Sequence, residues 1–229
     1  MTASPSHTVS DDVAFTIRDT TLVTQATGLR VQNLREFRHA LTQVPPGSIY
    51  HHFWGRFLRP QFAEPEYNND FASWSWHALH ERALAERLSM ANPADFSSFR
   101  ELREELVEIV ESRLDEGELV PWARADQQFY FLQSQIIVFD TGLSVRTPPE
   151  MGDAISHLSA GSIFYHFIDA RRRTPEHADD FSCWIMDQGP EWLPLAEAVQ
   201  AIDPYFSSLP DLRRDLCTVF EQHLQDKEA

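Results

Sequence analysis

Gly47-Ser48-Ile49-Tyr50-His51-His52-Phe53 and Gly161-Ser162-Ile163-Phe164-Tyr165-His166-Phe167 are two spellings of one phrase, 114 positions apart (161 − 47). The recurrence decides how the chain is read, because its neighbours recur in the same order. Upstream, Thr27-Gly28-Leu29 and Thr141-Gly142-Leu143 keep the same spacing. Downstream, Asp70-Phe71-x-x-Trp74 returns as Asp180-Phe181-x-x-Trp184, at an offset of 110 (180 − 70). The intervening polar loop, Pro60 to Asn69 in one copy and Thr174 to Asp179 in the other, therefore loses four residues (114 − 110), which loops tolerate. Leu84-Ala85-Glu86 returns as Leu195-Ala196-Glu197.

Periodicity supplies the elements. Phe15 to Gln25 and Phe129 to Phe139 are rich in β-branched and aromatic residues and predict one or two short strands in each copy. Gly28 and Gly142 are placed where a turn needs positive φ. Leu34, Phe37, Leu41 and Val44, matched by Met151, Ile155 and Leu158, have helical spacing, with Pro45-Pro46 and Ser159-Ala160 as stops. Gly-Ser then opens the phrase helix as loop and N-cap, and Asp70 and Asp180 cap the next. The last helix carries Phe99, Leu102, Leu106, Ile109, Val110 and Leu114 on one face. Its twin carries Leu209, Leu212, Leu216, Val219, Phe220 and Leu224, with Ser98…Glu101 as a capping box. The expected fold is mainly α with a small β element. Two pseudo-symmetric repeats, residues 13–118 and 126–225, each hold a short β segment and about five helices, after a disordered tail over residues 1–12. Such halves are expected to face each other across a pseudo-twofold axis.

Composition narrows the function. The chain has 229 residues, 42% hydrophobic and 24% charged, with a net charge of −16. That balance repels a phosphate backbone, so no nucleic-acid partner is expected. It suits solubility or a salty cytoplasm. The longest apolar run, Ile136 to Phe139, is too short for a bilayer, so no membrane partner is expected. Residues 1–12 lack a basic region followed by an apolar stretch, so the location expected is cytoplasmic. Cys183 and Cys217 are too few for a disulfide framework.

The phrases Thr-Gly-Leu, Gly-Ser-Ile-Tyr-His-His-Phe, Asn-Asp-Phe-x-x-Trp and Leu-Ala-Glu, in this order, resemble an uncharacterised prokaryotic family of unknown function. The match is strongest at residues 47–53, 69–74 and 84–86. The resemblance implies a tandem helical protein linked to carbohydrate or osmolyte metabolism, and it carries over no catalytic residue. Ser-Ile-Tyr-His-His-Phe also resembles the recognition-helix phrase of tetracycline-repressor-type regulators. That motif should occur once, near the N-terminus, beside basic residues. Here it occurs twice, after strands, in an acidic chain, and the DNA-binding reading fails.

On a helix, Ile49, His52, Phe53 and Phe57 share one face, which puts His52 inside the apolar stripe; Ile163, His166 and Phe167 do the same. An inward imidazole must pair its ring nitrogens. Asp70 and Asp180 are the repeated carboxylates nearest in sequence. His52, Asp70 and Trp74, with His166, Asp180 and Trp184, are therefore the candidate ligand-binding residues, read either as structural hydrogen bonds or as a polar spot in an aromatic pocket. His77-x-x-His80 and Glu36-x-x-His39 have metal-ligand spacing but do not recur, and they read as solvated faces. Trp54 and Trp76, unduplicated, are candidates for a surface off the core stripe. No phosphate loop, nucleophile elbow or Cys-x-x-Cys pair is present. No metal and no cofactor are expected, and catalytic residues stay unknown. The function expected is a non-catalytic binding or accessory protein, an intramolecular pseudo-dimer that holds a protein partner or small polar ligand. The alternative is an enzyme or metal-binding protein using the His/Asp pairs. The oligomeric state is left open.

Overall fold

The computed structural model describes residues 14–58, 66–117, 124–174, 177–204 and 207–228. The expected tail over residues 1–12, and most of the loop after Pro60, lie outside them. The protein is mainly helical, with one two-stranded antiparallel sheet formed by β1 (Phe15–Asn33) and β2 (Arg124–Val145). These are not short strands: β1 has 19 residues and β2 has 22. Each strand pairs with the other, its partners 91 to 130 positions away (124 − 33; 145 − 15), rather than with its own neighbours. Leu22 faces Ile136, and the ladder runs from Phe15↔Val145 at one end to Asn33↔Arg124 at the other.

Helices follow each strand. After β1 come α1 (Leu34–Gln43), α2 (Pro46–Trp54), α3 (Asp70–His77), α4 (Arg82–Met90) and α5 (Phe99–Asp115). After β2 come α6 (Pro148–Ile155), α7 (Ala160–Ile163), a π-helical segment (Phe164–Asp169), α8 (Ala170–Arg173), α9 (Asp180–Asp187), α10 (Leu193–Gln200) and α11 (Leu209–Glu228). The long amphipathic helices bury the expected stripes: Leu102, Leu106 and Val110 on α5, and Leu212, Leu216 and Phe220 on α11. No helix among the described residues is long and apolar enough to cross a membrane.

Local chemistry accounts for the helix starts, with three corrections. The phrase does not open on a cap. Its glycine and serine lie inside the helices, which begin at Pro46, after Pro45, and at Ala160, where Ser159 accepts from the Ser162 N–H. Asn69 and Asp179, not Asp70 and Asp180, are the N-caps of α3 and α9; each accepts a backbone N–H three residues on. That shift leaves the carboxylates of Asp70 and Asp180 for other partners. Ser98 caps α5, but Glu101 reaches back to the N–H and hydroxyl of Ser97.

Gly47 and Gly161 are set by close approach. A Cβ on Gly161 would stand 2.2 Å from the Thr20 carbonyl oxygen and from Asp19 Oδ1 on β1. One on Gly47 would stand 3.0 Å from the Ser134 carbonyl oxygen on β2. The phrase helices thus press their first turns onto the ribbon backbone. Gly161→Ala is expected to lower the unfolding free energy by about 2 kcal/mol or more, and Gly47→Ala by clearly less. Urea denaturation of the two variants reads the difference, and equal losses would show that this contact does not limit packing.

Candidate functional site

The site starts at irregularities in the ribbon. Its register shifts between Ile17 and Arg18 and between Ala26 and Arg30, beside Gly142 and Gly28, both at positive φ. A bulge leaves backbone donors and acceptors without ladder partners. The Thr-Gly-Leu phrases satisfy part of the deficit: Thr27 Oγ1 donates to the Phe131 carbonyl and Thr141 Oγ1 to the Ile17 carbonyl, each at 2.6 Å. The histidines meet the rest. The Leu132 N–H donates to His52 Nε2 at 3.2 Å, and the Arg18 N–H donates to His166 Nε2 at 2.9 Å.

Those bonds decide the imidazole tautomers. An Nε2 that accepts must carry its lone pair, so the proton sits on Nδ1 and is donated to a carboxylate. His52 Nδ1 lies 2.9 Å from Asp70 Oδ2, and His166 Nδ1 lies 2.8 Å from Asp180 Oδ2. Both imidazoles are buried, whereas the carboxylates are partly open, with Asp70 the more exposed side chain (37% against 20%). Each histidine therefore bridges the first turn of the following helix to a strand distant in sequence. His52 is tied to β2, which follows α5, and His166 to β1, which precedes α1. Each imidazole reaches a distant strand as well as the carboxylate nearest in sequence.

Aromatic packing follows the same route. The His52 ring lies 4.7 Å from the Phe129 ring and 5.1 Å from Phe71. Phe37 contacts Phe71, Trp74, Phe129 and Phe131, so β2 completes the core beneath α1–α3. Trp74 is buried, and its Nε1 donates to the Gln127 carbonyl at 2.8 Å. On the other side Phe15 packs on His166, Phe181 and Trp184. The six residues singled out in the sequence therefore form two separate groups, each around one imidazole.

Several other expectations change. Trp54 is buried and stacks on Tyr50, while Trp76 is half-buried beneath Arg82. His77 and His80 are exposed and face Glu66 and Asp126. Glu36 accepts from the Gln32 N–H at the start of α1. His51, His52 and Asp70 each offer one ligand atom within 4.8 Å of the others. Both ring nitrogens of His52 already have protein partners. A metal on His52 Nδ1 would move the proton to Nε2 and point it at the Leu132 N–H. His51 Nδ1 is already 2.7 Å from Ser134 Oγ.

Sequence reasoning missed a second polar cluster. Asp169 is buried, accepts from Tyr50 Oη at 3.1 Å, and is paired with Arg172 and Arg173. Burial, reinforced by the Asp169 charge, pushes the Tyr50 hydroxyl far above its usual range and keeps it a donor. Arg173 also donates to Asp180 Oδ2 at 2.9 Å and lies over the Tyr165 ring, so the His166 clamp has a cationic cover. Asp169 falls beyond the repeated phrase, and its counterpart in the 114-residue register is Gly55 (169 − 114). Comparing the copies for charge differences would have found it.

The N-cap Asp179 is fully buried, and burial raises its carboxyl above the usual value despite two bonds from Ser182 and a nearby Arg171. A raised carboxyl pKa means that the native state holds the proton more tightly than the unfolded chain. Stability is therefore lost as pH rises from the unfolded value of 3.8 through the folded one. Asn69 performs the same cap without charge. Asp179→Asn is expected to raise the melting temperature at pH 7 by about 2 °C, with the gain vanishing below about pH 4. Thermal melts across that range check it, and a variant less stable than wild type at pH 7 would refute the assignment.

The fold has a solved counterpart. The structure of OrfY from Thermoproteus tenax is similar over 92% of this chain and 95% of that chain, with a TM-score of 0.77 and 28% sequence identity. No functionally curated protein matches the chain. Residues 12–221 match a protein family described as a family of unknown function, DUF5752. With the match running from before β1 into α11, the chain belongs to that family.

Proposed function

We propose that the chain is a non-catalytic binding or accessory protein built as an intramolecular pseudo-dimer. Repeat 1 covers residues 13–118 and repeat 2 residues 126–225, and the ribbon forms where their strands exchange. The ladder supports this reading: Leu22 pairs with Ile136, 114 residues on (136 − 22), the same offset as the repeated phrase. A pseudo-twofold axis would run through that pair. Each half then hands its strand to the other half's helices, and its Gly-Ser-Ile helix takes the partner strand in return. As the sequence resemblance implies, the role proposed lies near carbohydrate or osmolyte metabolism.

The observation that carries the non-catalytic reading is the complete engagement of both imidazoles. A general acid or base must have a lone pair or proton to exchange with substrate. Here one ring nitrogen is held by a carboxylate and the other by a strand N–H, in both copies. Copies that divided chemistry between them would be free to diverge; these keep the same arrangement because the ribbon requires it.

His52→Ala and His166→Ala, made separately, are each expected to cost about 2–4 kcal/mol, since each orphans a strand amide and removes a buried ring. For a chain of this size that is a fall of several degrees in melting temperature. Unchanged melting with loss of bound metal, or of an activity, would overturn the reading in favour of the enzyme or metal-site alternative.

A small polar ligand is the second reading for what is bound. A cleft of about 330 Å³ lies beside the Gly28 bulge, lined by Ala26, Leu29, Arg30, Tyr130 and Leu132 among others. Tyr130 offers a ring to stack on a sugar, and Arg30 offers a planar donor fork. Thermal-shift screening with hexoses, hexose phosphates and nucleotide sugars is expected to find a stabilising compound whose effect Tyr130→Ala removes. A screen in which no compound moves wild type would sink this second reading.

A further inference from the structure

The ribbon's outer surface has an unusual composition for this chain. Thr20 to Leu29 and Phe129 to Phe139, ten and eleven residues, contain no Lys, Arg, His, Asp or Glu, although the chain is 24% charged. Within and beside this charge-free zone, apolar side chains face outward: Val23, Leu29, Tyr130, Ile137, Phe139 and Leu143 are between 36% and 59% exposed. Four of them form two pairs at the 114-residue offset, Val23 with Ile137 and Leu29 with Leu143. Both positions keep an exposed aliphatic in each pair, while the counterparts of Tyr130 and Phe139 at the same offset are Thr16 and Gln25.

Two-stranded ribbons leave an edge on each strand. Proteins that expose such edges blunt them with Lys, Pro or inward charges. None of those devices occurs between Thr20 and Leu29 or between Phe129 and Phe139. A β-branched stretch of ribbon without charge, with apolar side chains turned outward, is a surface made to be covered.

The charge says by what. With a net charge of −16, two copies of this chain repel each other over most of their surface, and the charge-free ribbon is where that repulsion is weakest. A basic partner would be drawn to the carboxylates elsewhere on the chain, not to this face. The ribbon is also its own chemical complement. Thr21, Val23 and Gln25 lie opposite Ile137, Gln135 and Gln133, so uncharged polar and aliphatic groups are offered from both strands. A face centred on a twofold can be covered isologously by its own copy.

We propose that a second copy of this chain covers the ribbon, with the two ribbons packed face to face about Val23 and Ile137, a dimer of pseudo-dimers. This rests on the pseudo-dimer reading for its symmetry. Sedimentation velocity of the full-length chain from about 5 to 100 µM tests it, with circular dichroism of the same samples reporting the fold. Wild type is expected at twice 26.4 kDa, with the association strengthened by NaCl as repulsion is screened. Val23→Lys with Ile137→Lys is expected to weaken the dimer at least about 100-fold, since it buries like charges, with the helical signal kept. Met90→Lys, at a site 81% exposed on α4, should leave it unchanged. A wild-type monomer at the highest concentration in 0.5 M NaCl, whether or not another protein binds the ribbon, overturns the proposal. So does a dimer indifferent to the double substitution. A folded monomer leaves the pseudo-dimer reading standing, because that reading is tested by the histidine melts.

Discussion

A backbone amide that its own sheet cannot satisfy is the constraint from which the rest of this structure follows. Near two of the register shifts in the ribbon a strand N–H turns to a histidine, and an unpaired donor there would cost as much as a lost hydrogen bond. His166 accepts the Arg18 amide and His52 accepts the Leu132 amide. That single acceptance fixes the tautomer and points Nδ1–H outward. It then demands a carboxylate at the first turn of the next helix, where Asp70 and Asp180 stand. Strand, phrase helix and following helix are thereby locked in one step, and the surrounding phenylalanines pack on a ring that cannot turn.

The phrase around each histidine reads as a set of requirements imposed by the ribbon. Glycine lets the helix approach a strand carbonyl, isoleucine and phenylalanine fill the core, and histidine closes the amide. Thr-Gly-Leu makes the irregularity itself: a left-handed glycine, a threonine hydroxyl that caps a strand carbonyl, and a leucine left facing out. Where the surroundings of the two phrases differ, one of them carries extra charge. Tyr50 and Asp169, with Arg172 and Arg173, form a buried polar cluster on one side. The counterparts in the 114-residue register are Phe164 and Gly55 for the first two. Such a cluster stabilises little over apolar packing but is strongly destabilising when broken, which makes the cross-contact between α2 and the end of the π-helical segment specific.

Much of this was legible before the structure. Helix stripes on α5 and α11, the positive-φ glycines and the His–Asp pairs all follow from spacing, because helical periodicity and turn chemistry are local. The N-caps were misplaced by one or two residues, since Asn69, Asp70 and Ser159 are all competent caps and only the geometry of the first turn selects among them. Trp54 was misjudged because a short helix packed on all sides has no outer face; every residue from Ser48 to Trp54 is buried. Asp169 and its arginines carried no repeat signal and were invisible to a search for repetition.

What the amino-acid sequence determined by itself is the inventory: a β segment ahead of each set of helices, and an imidazole in each phrase that had to pair its ring nitrogens. What only the tertiary structure decided is which strand each imidazole holds. β1 and β2 carry nearly the same alternation of apolar and polar residues, so pairing with near helices or distant ones satisfies the same local pattern. The choice is made by closing one antiparallel ribbon from two strands whose partners lie 91 to 130 positions apart, an interaction whose register no local propensity encodes.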